Sequence, residues 1–324
     1  MNVPRNGARR MVGIGIDPLR RGAIAHGGAR EGAGRSALAP HTATHMARQS
    51  GRDLRSILER DGVIVVDTDP FALSPADAEL VGRQWTDSRS KNSSYNPRTG
   101  ALDGVVADEP EMAALGDLMR RYSDWALQVI SDFFPGYRDS LELGRTSLRL
   151  RSVQDEPPLS RRKDDRSLHL DAFTSQPVAG RRILRVFCNI DPSGAEREWA
   201  IADGGFEDFA RRFSGRARRL LPGEARVLRG LALTKSLRTD YDQIMLGMHD
   251  AAKRDRNYQR TASRRYVSFP QGATWLAFTD QTPHAAVSGQ CALEQTFYVP
   301  VDALVDPGSS PLRVLERLWG SALA

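Results

Sequence analysis

Between residues 110 and 134 apolar side chains recur at helical spacing: Leu115, Leu118, Met119, Tyr122, Trp125, Ala126, Val129, Ile130 and Phe133 follow the i, i+3, i+4, i+7 rule. The pattern predicts one long amphipathic helix, stopped by Pro135-Gly136, with its Trp and Met in core packing. Upstream, Leu54 to Leu58 forms a short helical pattern, Asp61-Gly62 a turn and Val63 to Val66 a buried β-branched strand. Ser74, Pro75 and Asp77 supply the N-cap, first-position proline and first-turn acid of a helix running through Leu80, Val81 and Trp85. From Thr146 the period changes from 3.6 to 2. Ser147, Arg149 and Arg151 alternate with Leu148, Leu150 and Ser152, and strand-like runs recur at Arg182 to Ile190, Tyr266 to Phe269, Thr274 to Thr279 and Leu293 to Val299. Residues 205 to 221 and Tyr241 to Lys253 read as helical insertions, and Ser310-Pro311 opens a terminal helix expected on the outside of the sheet. Short strands separated by turns predict a mostly β chain with flanking helices (α+β), its strands forming a sandwich or barrel.

The chain has 324 residues, which suits a single domain over residues 51–324 behind an N-terminal tail. Residues 1–50 are rich in Gly, Ala and Arg with little periodicity, the composition of a disordered or loosely attached segment. Their eight Arg and two acids, Asp17 and Glu31, give +6, the whole formal charge of the chain, so the other 274 residues sum to zero. A neutral body with a basic tail is weak ground for specific nucleic-acid binding. Cys188 and Cys291 show no metal or redox spacing, which favours a reducing compartment, the cytoplasm. No apolar run reaches the roughly 20 residues of a membrane span.

The candidate chemistry lies in Arg166-Ser-Leu-His-Leu-Asp-Ala-Phe173, where His169 and Asp171 stand two apart and would share one face of a strand. With a second His they make a facial triad for non-haem Fe(II), which leaves coordination positions open for substrates. His284 completes it: in a jelly-roll barrel (a double-stranded β-helix, cupin-like), a His on a late strand faces an HxD pair on an early one across the barrel mouth. His26, His41 and His45 lie in the tail, and His249, mid-helix without a ligand partner at i+4, is expected at the surface. No GxSxG elbow, phosphate loop or HExxH helix offers a rival chemistry.

A triad of this kind calls for an electron-bringing co-substrate beside O2, most commonly 2-oxoglutarate, whose far carboxylate needs a buried Arg. No Arg or Lys lies between His284 and Arg313, so the candidates fall on the strand after HxD. Arg185 shares a face with Phe187 and Asn189; Arg182 shares the other with Leu184, Val186 and Cys188. An Arg inside an apolar strand requires a buried anionic partner. Arg185 is preferred, with Asn189 adding a hydrogen bond, and Arg182 is the alternative, more readily read as reaching solvent at a strand end. The competing class is a metal-free jelly-roll module binding acidic glycans or nucleic acid through Arg149, Arg151 and the tail.

Five segments carry a family resemblance: Ser90-Lys-Asn-Ser-Ser-Tyr95, Thr146-Ser-Leu-Arg-Leu-Arg151, Asp164 to Phe173, Arg182 to Ile190, and His284. Over residues 54 to 305 the chain resembles the Kdo hydroxylase family, Fe(II)/2-oxoglutarate dioxygenases that hydroxylate the 3-deoxy-octulosonate sugar of the lipopolysaccharide inner core. The resemblance implies that His169, Asp171 and His284 bind Fe(II), and that Arg185 holds 2-oxoglutarate. It implies hydroxylation at C3 of Kdo, with succinate and CO2 as co-products. The acceptor is then a sugar acid, for which Lys91, Arg149 and Arg151 are the expected cations and Asn92 and Tyr95 the hydroxyl partners. A Kdo-containing lipid A or lipopolysaccharide precursor is the implied partner, met at the inner face of the inner membrane with the basic tail as a contact. A related dioxygenase acting on another sugar or lipid stays open, because nothing else in the sequence specifies the sugar.

Overall fold

The computed structural model of the chain describes residues 10–13, 54–86, 90–155, 160, 162 and 164–324. Within the segment expected to be loosely attached, Arg10–Gly13 forms an edge strand, β1, while the rest of residues 1–50 lies outside the described residues. Helix α1 (Leu54–Asp61) ends at Gly62, whose φ of +80° turns the chain into β2 (Val63–Asp67). A Cβ at Gly62 would stand 2.0 Å from Thr282 Oγ1, so this turn requires glycine twice over. Helix α2 (Pro75–Val81) opens with the Ser74/Asp77 capping box but stops before Trp85, whose indole N–H donates to Leu80 O. The short strands β3 (Ser93–Tyr95) and β4 (Leu102–Asp103) precede the long helix, α3 (Glu109–Phe133), capped by Asp108 and Glu111.

Strands β5 (Glu142–Arg149), β6 (Arg182–Asn189) and β7 (Arg197–Ala202) lead into helices α4 (Phe206–Phe213), α5 (Glu224–Gly230), α6 (Asp240–Arg254) and α7 (Arg256–Thr261). Then come β8 (Arg264–Phe269), β9 (Thr274–Phe278), β10 (His284–Ser288), β11 (Ala292–Val299) and α8 (Pro311–Trp319). The sequence pattern missed β3, β4, β7 and β10. Helix α8 packs chiefly against α4 and not on the outside of the sheet as expected. All strands pair antiparallel, in a larger sheet ordered β1-β2-β9-β6-β11-β5-β3-β4 and a smaller one ordered β10-β7-β8.

The two sheets face each other across an aromatic layer centred on Trp275, which stacks on Phe269 at 4.0 Å and on Phe187 at 5.1 Å. Helix α3 covers the other side of the larger sheet, and its Tyr122 hydroxyl donates to Val186 O at 3.0 Å. Strands β6, β9 and β11 are therefore buried on both faces. This is a mixed helix and antiparallel-sheet fold, as the pattern predicts. The larger sheet ends at β1 and β4, so no closed barrel forms among the described residues. Nor is any helix among them long and apolar enough to cross a membrane.

Arg182 departs from the sequence reading. Its side chain is fully buried at the start of β6, with Nε 2.8 Å from Asp280 Oδ2 and the guanidinium 4.0 Å from the Phe278 ring. Burial raises the Asp280 carboxyl despite the attraction of Arg182. Removing one member of such a pair strands the other charge in the core, so Arg182→Leu is expected to lower folding stability by about 3–5 kcal/mol. A urea titration reads this as a lower midpoint at unchanged slope; a loss below about 1 kcal/mol would mark the pair as inconsequential.

Candidate active site

β10 opens at His284, and the HxD segment lies beside it as an isolated bridge in place of the regular strand expected. His169 and His284 exchange both backbone N–H···O bonds, 3.0 Å each way, and Asp171 N–H donates to Thr279 O at 2.8 Å. The imidazole rings stand 4.8 Å apart, and one ligand atom from each of His169, Asp171 and His284 falls within 4.8 Å of the others. Each ring is oriented through Nδ1, which lies 2.7 Å from Ser167 O for His169 and 2.9 Å from Thr282 O for His284. A carbonyl can only accept, so the proton sits on Nδ1 and the Nε2 lone pair is left for a metal. Trp199 stacks on His284 at 4.8 Å, and His249 meets His169 edge-on at 5.3 Å.

Burial lowers His169, His249 and His284, His169 well below the ordinary range, and so keeps the two triad rings neutral as metal ligands must be. Burial would raise Asp171, but the Arg185 guanidinium outweighs it and brings the carboxyl far below the usual carboxylate range. Arg185 Nη2 lies 3.2 Å from Asp171 Oδ2, without the alignment of a hydrogen bond.

From Asp171 a row of alternating charge leads outward. Arg185 Nη1 donates to Glu294 Oε1 at 2.6 Å, Arg149 holds Glu294 Oε2 at 2.7 Å and Asp165 at 3.3 Å, and Lys91 reaches Asp165 at 2.8 Å. Asp165 Oδ1 is also 3.8 Å from His169 Nε2, as near as Asp171. A pocket is lined by the triad together with Asp165, Arg149, Arg185, Arg197 and Trp199. An adjoining one is lined by Lys91, Asn92, Arg149, Arg151, Arg166 and Arg197.

The structure thus brings His169, Asp171, His284 and Arg185 to one cavity, and Lys91, Asn92, Arg149 and Arg151 to the next. It does not bring Arg182, Asn189 or Tyr95. The Asn189 amide donates to Ala195 O and Phe269 O, 2.9 Å each, at a strand end about 13 Å from Arg185. Tyr95 is buried in the helix-side core because it shares a strand face with the fully buried Ser93. His249 is buried, not at the surface, with Nδ1 2.6 Å from Leu170 O. Asp165, Glu294, Arg197 and Trp199 went unread. A legible signal existed for Glu294, an acid inside an apolar strand, since Arg185 called for a buried anion.

Because the folded imidazoles titrate below the unfolded value of 6.5, the unfolded chain takes up protons first as pH falls. Stability of the metal-free protein is full above pH 6.5 and declines progressively below it, which urea midpoints between pH 7.5 and about 5 measure. His249→Gln is expected to remove part of that decline. In Co(II) titrations at neutral pH, His169→Ala and His284→Ala each weaken binding by about a hundredfold or more, whereas Asn189→Ala leaves it unchanged.

Residues 41–322 match the family described as 3-deoxy-D-manno-oct-2-ulosonic acid (Kdo) hydroxylase. No curated protein matches the chain. Among solved structures, the fold is similar to the Kdo hydroxylase KdoO, a non-heme Fe(II) alphaketoglutarate dependent dioxygenase. The form with alphaketoglutarate and Fe(III) has a TM-score of 0.77 at 37% identity, over 82% of this chain and 89% of that one. The cobalt(II) form gives 0.78 at the same identity and coverage, and the form with succinate and Fe(III) gives 0.76 at 37% identity, over 82% and 88%. With a family match across most of its length and this shared fold, the chain belongs to the Kdo hydroxylase family.

Proposed function

We propose that this chain is an Fe(II)/2-oxoglutarate-dependent dioxygenase that hydroxylates C3 of the Kdo sugar in a lipid A or lipopolysaccharide precursor, releasing succinate and CO2. The observation that carries the reading is the triad's place at the base of a cavity with Arg185 beside it, in a member of this family. The donor set fits the metal: two neutral imidazoles with Nδ1 engaged, one ionised carboxylate, and Asp171 Oδ2 buried without a hydrogen bond. Bound iron, with 2-oxoglutarate and O2, supplies the oxidising power. His169, Asp171 and His284 would hold the metal, at the pocket they line.

Arg185 holds the far carboxylate of 2-oxoglutarate. Its Nε is a buried donor without an acceptor, and Phe173 lies under its guanidinium at 5.6 Å. Trp199 and Phe187 wall the cavity and keep water from the reacting carbon. Lys91, Arg149 and Arg151 receive the sugar carboxylate in the adjoining cavity, and Asn92 bonds a hydroxyl. The fold reading is an open jelly roll with β10-β7-β8 as its minor sheet, and residues 51–324 act as one domain. The enzyme works in the cytoplasm at the inner face of the inner membrane, because its acceptor is lipid-linked.

Mass spectrometry of lipopolysaccharide sugars from cells with and without the protein should find one added oxygen on the octulosonate. His169→Ala should abolish both that product and succinate formation. Arg185→Leu is expected to raise the 2-oxoglutarate KM about tenfold or more, the effect of losing a charged hydrogen bond. Arg185→Lys, which keeps the charge and loses the fork, should fall between. An unaltered KM in both variants would move the anchor to Arg149 or Arg197.

A further inference from the structure

Outside the site, apolar exposure is concentrated in one place. Of the seven exposed large hydrophobic side chains among the described residues, Leu221, Val227, Leu231, Leu233 and Leu237 fall within one stretch between α4 and α6, each more than half exposed. Helix α5 in that stretch buries none of its residues. The same stretch is strongly basic: residues 218–238 carry Arg218, Arg219, Arg226, Arg229, Lys235 and Arg238 against Glu224 alone, a net +5. Arg226 and Arg229 are exposed beside Val227. Aliphatic side chains interleaved with cations on a protruding segment are the composition of an interfacial element, whose apolar residues enter the headgroup boundary while its cations meet anionic lipid.

We propose that residues 218–238 dock the protein on the surface of an anionic lipid bilayer. Charge decides between this occupant and a second copy of the chain. A two-fold interface would place one +5 surface against another, whereas an anionic bilayer neutralises it. The segment is tied to the active-site chain: Lys235 N–H donates to Ser175 O at 2.8 Å and the Arg238 guanidinium to Thr174 O, just past Asp171 in sequence. Docking here therefore holds the site's own polypeptide at the membrane. The element is distinct from the basic tail of residues 1–50. Its usefulness rests on the proposed lipid-linked acceptor, but the binding itself does not.

The test is co-sedimentation of the full chain with vesicles of phosphatidylglycerol and phosphatidylethanolamine, and with phosphatidylcholine alone. The wild type should bind the anionic vesicles and be released by raised salt. The triple variant Leu221→Ser, Leu231→Ser, Leu233→Ser should bind at least about tenfold more weakly, as should Arg226→Glu with Arg229→Glu. Both sets alter exposed side chains, so thermal midpoints and Co(II) affinity should match the wild type. Vesicle binding equal to wild type in both variants would overturn the proposal, as would failure of the wild type to bind. A dimer in vesicle-free solution that the serine variant disperses would overturn it in favour of a contact between copies. Sedimentation needs no turnover, so a protein that binds as expected yet adds no oxygen to Kdo would sink the hydroxylase reading and leave the docking element standing.

Discussion

A carboxylate buried between two β-sheets has to meet cations on both of its oxygens, and Glu294, only 2% exposed, does so with Arg149 on one side and Arg185 on the other. Sheet register makes the arrangement possible. On β11, Glu294 lies opposite Ser147 of β5 and Phe187 of β6, so that Arg149 and Arg185 are its diagonal neighbours, two residues along each flanking strand. A slip of one residue in either pairing would send Glu294 to the face covered by α3, with no cation there to receive it. Lys91, Asp165 and Asp171 extend the same alternation, so Lys91, Arg149 and Arg185 are each positioned by an anion beside them. That is how a site destined for a metal, a dicarboxylate and a sugar acid keeps its cations in place before any of them arrives.

Much of this was readable from the chain. The spacing from Leu115 to Phe133 specified α3 almost to the residue, and the Ser74/Asp77 cap marked the start of α2. The His169, Asp171 and His284 grouping was also legible, because histidines are few and HxD spacing is short. What escaped reading depended on partners distant in sequence. β10, His-Ala-Ala-Val-Ser, has little strand propensity of its own and exists because β7 pairs with it, itself a run of short strand signal after two charged residues. Period-2 alternation tells that Ser93 and Tyr95 share a face but not which layer that face meets. For Arg182 and Arg185 it separated the faces correctly. It gave no hint that Asp280 would close over the first and leave the second for the cavity.

The cores on the two sides of the larger sheet serve different ends. The helix side is aliphatic with scattered aromatics and uses α3 to clamp β5, β6 and β11, the strands whose register the charges need. The side between the sheets holds Phe187, Trp199, Phe269 and Trp275 among aliphatic residues, and Trp199 meets Trp275 and Phe187 edge-on while stacking on the His284 ring. Large rigid rings suit that role. They hold an imidazole plane without offering it a competing hydrogen bond.

The direct backbone bridge between His169 and His284 spans the whole stretch of residues 170–283. During synthesis a chain emerging from the ribosome therefore carries His169 and Asp171 without His284, and no complete His-Asp-His cluster, until β10 has left the exit tunnel. Glu294 follows later still, so the last event in making the pocket is the arrival of the anion that pairs Arg149 and Arg185. The complete cluster belongs to the finished protein, and truncated products of translation lack it.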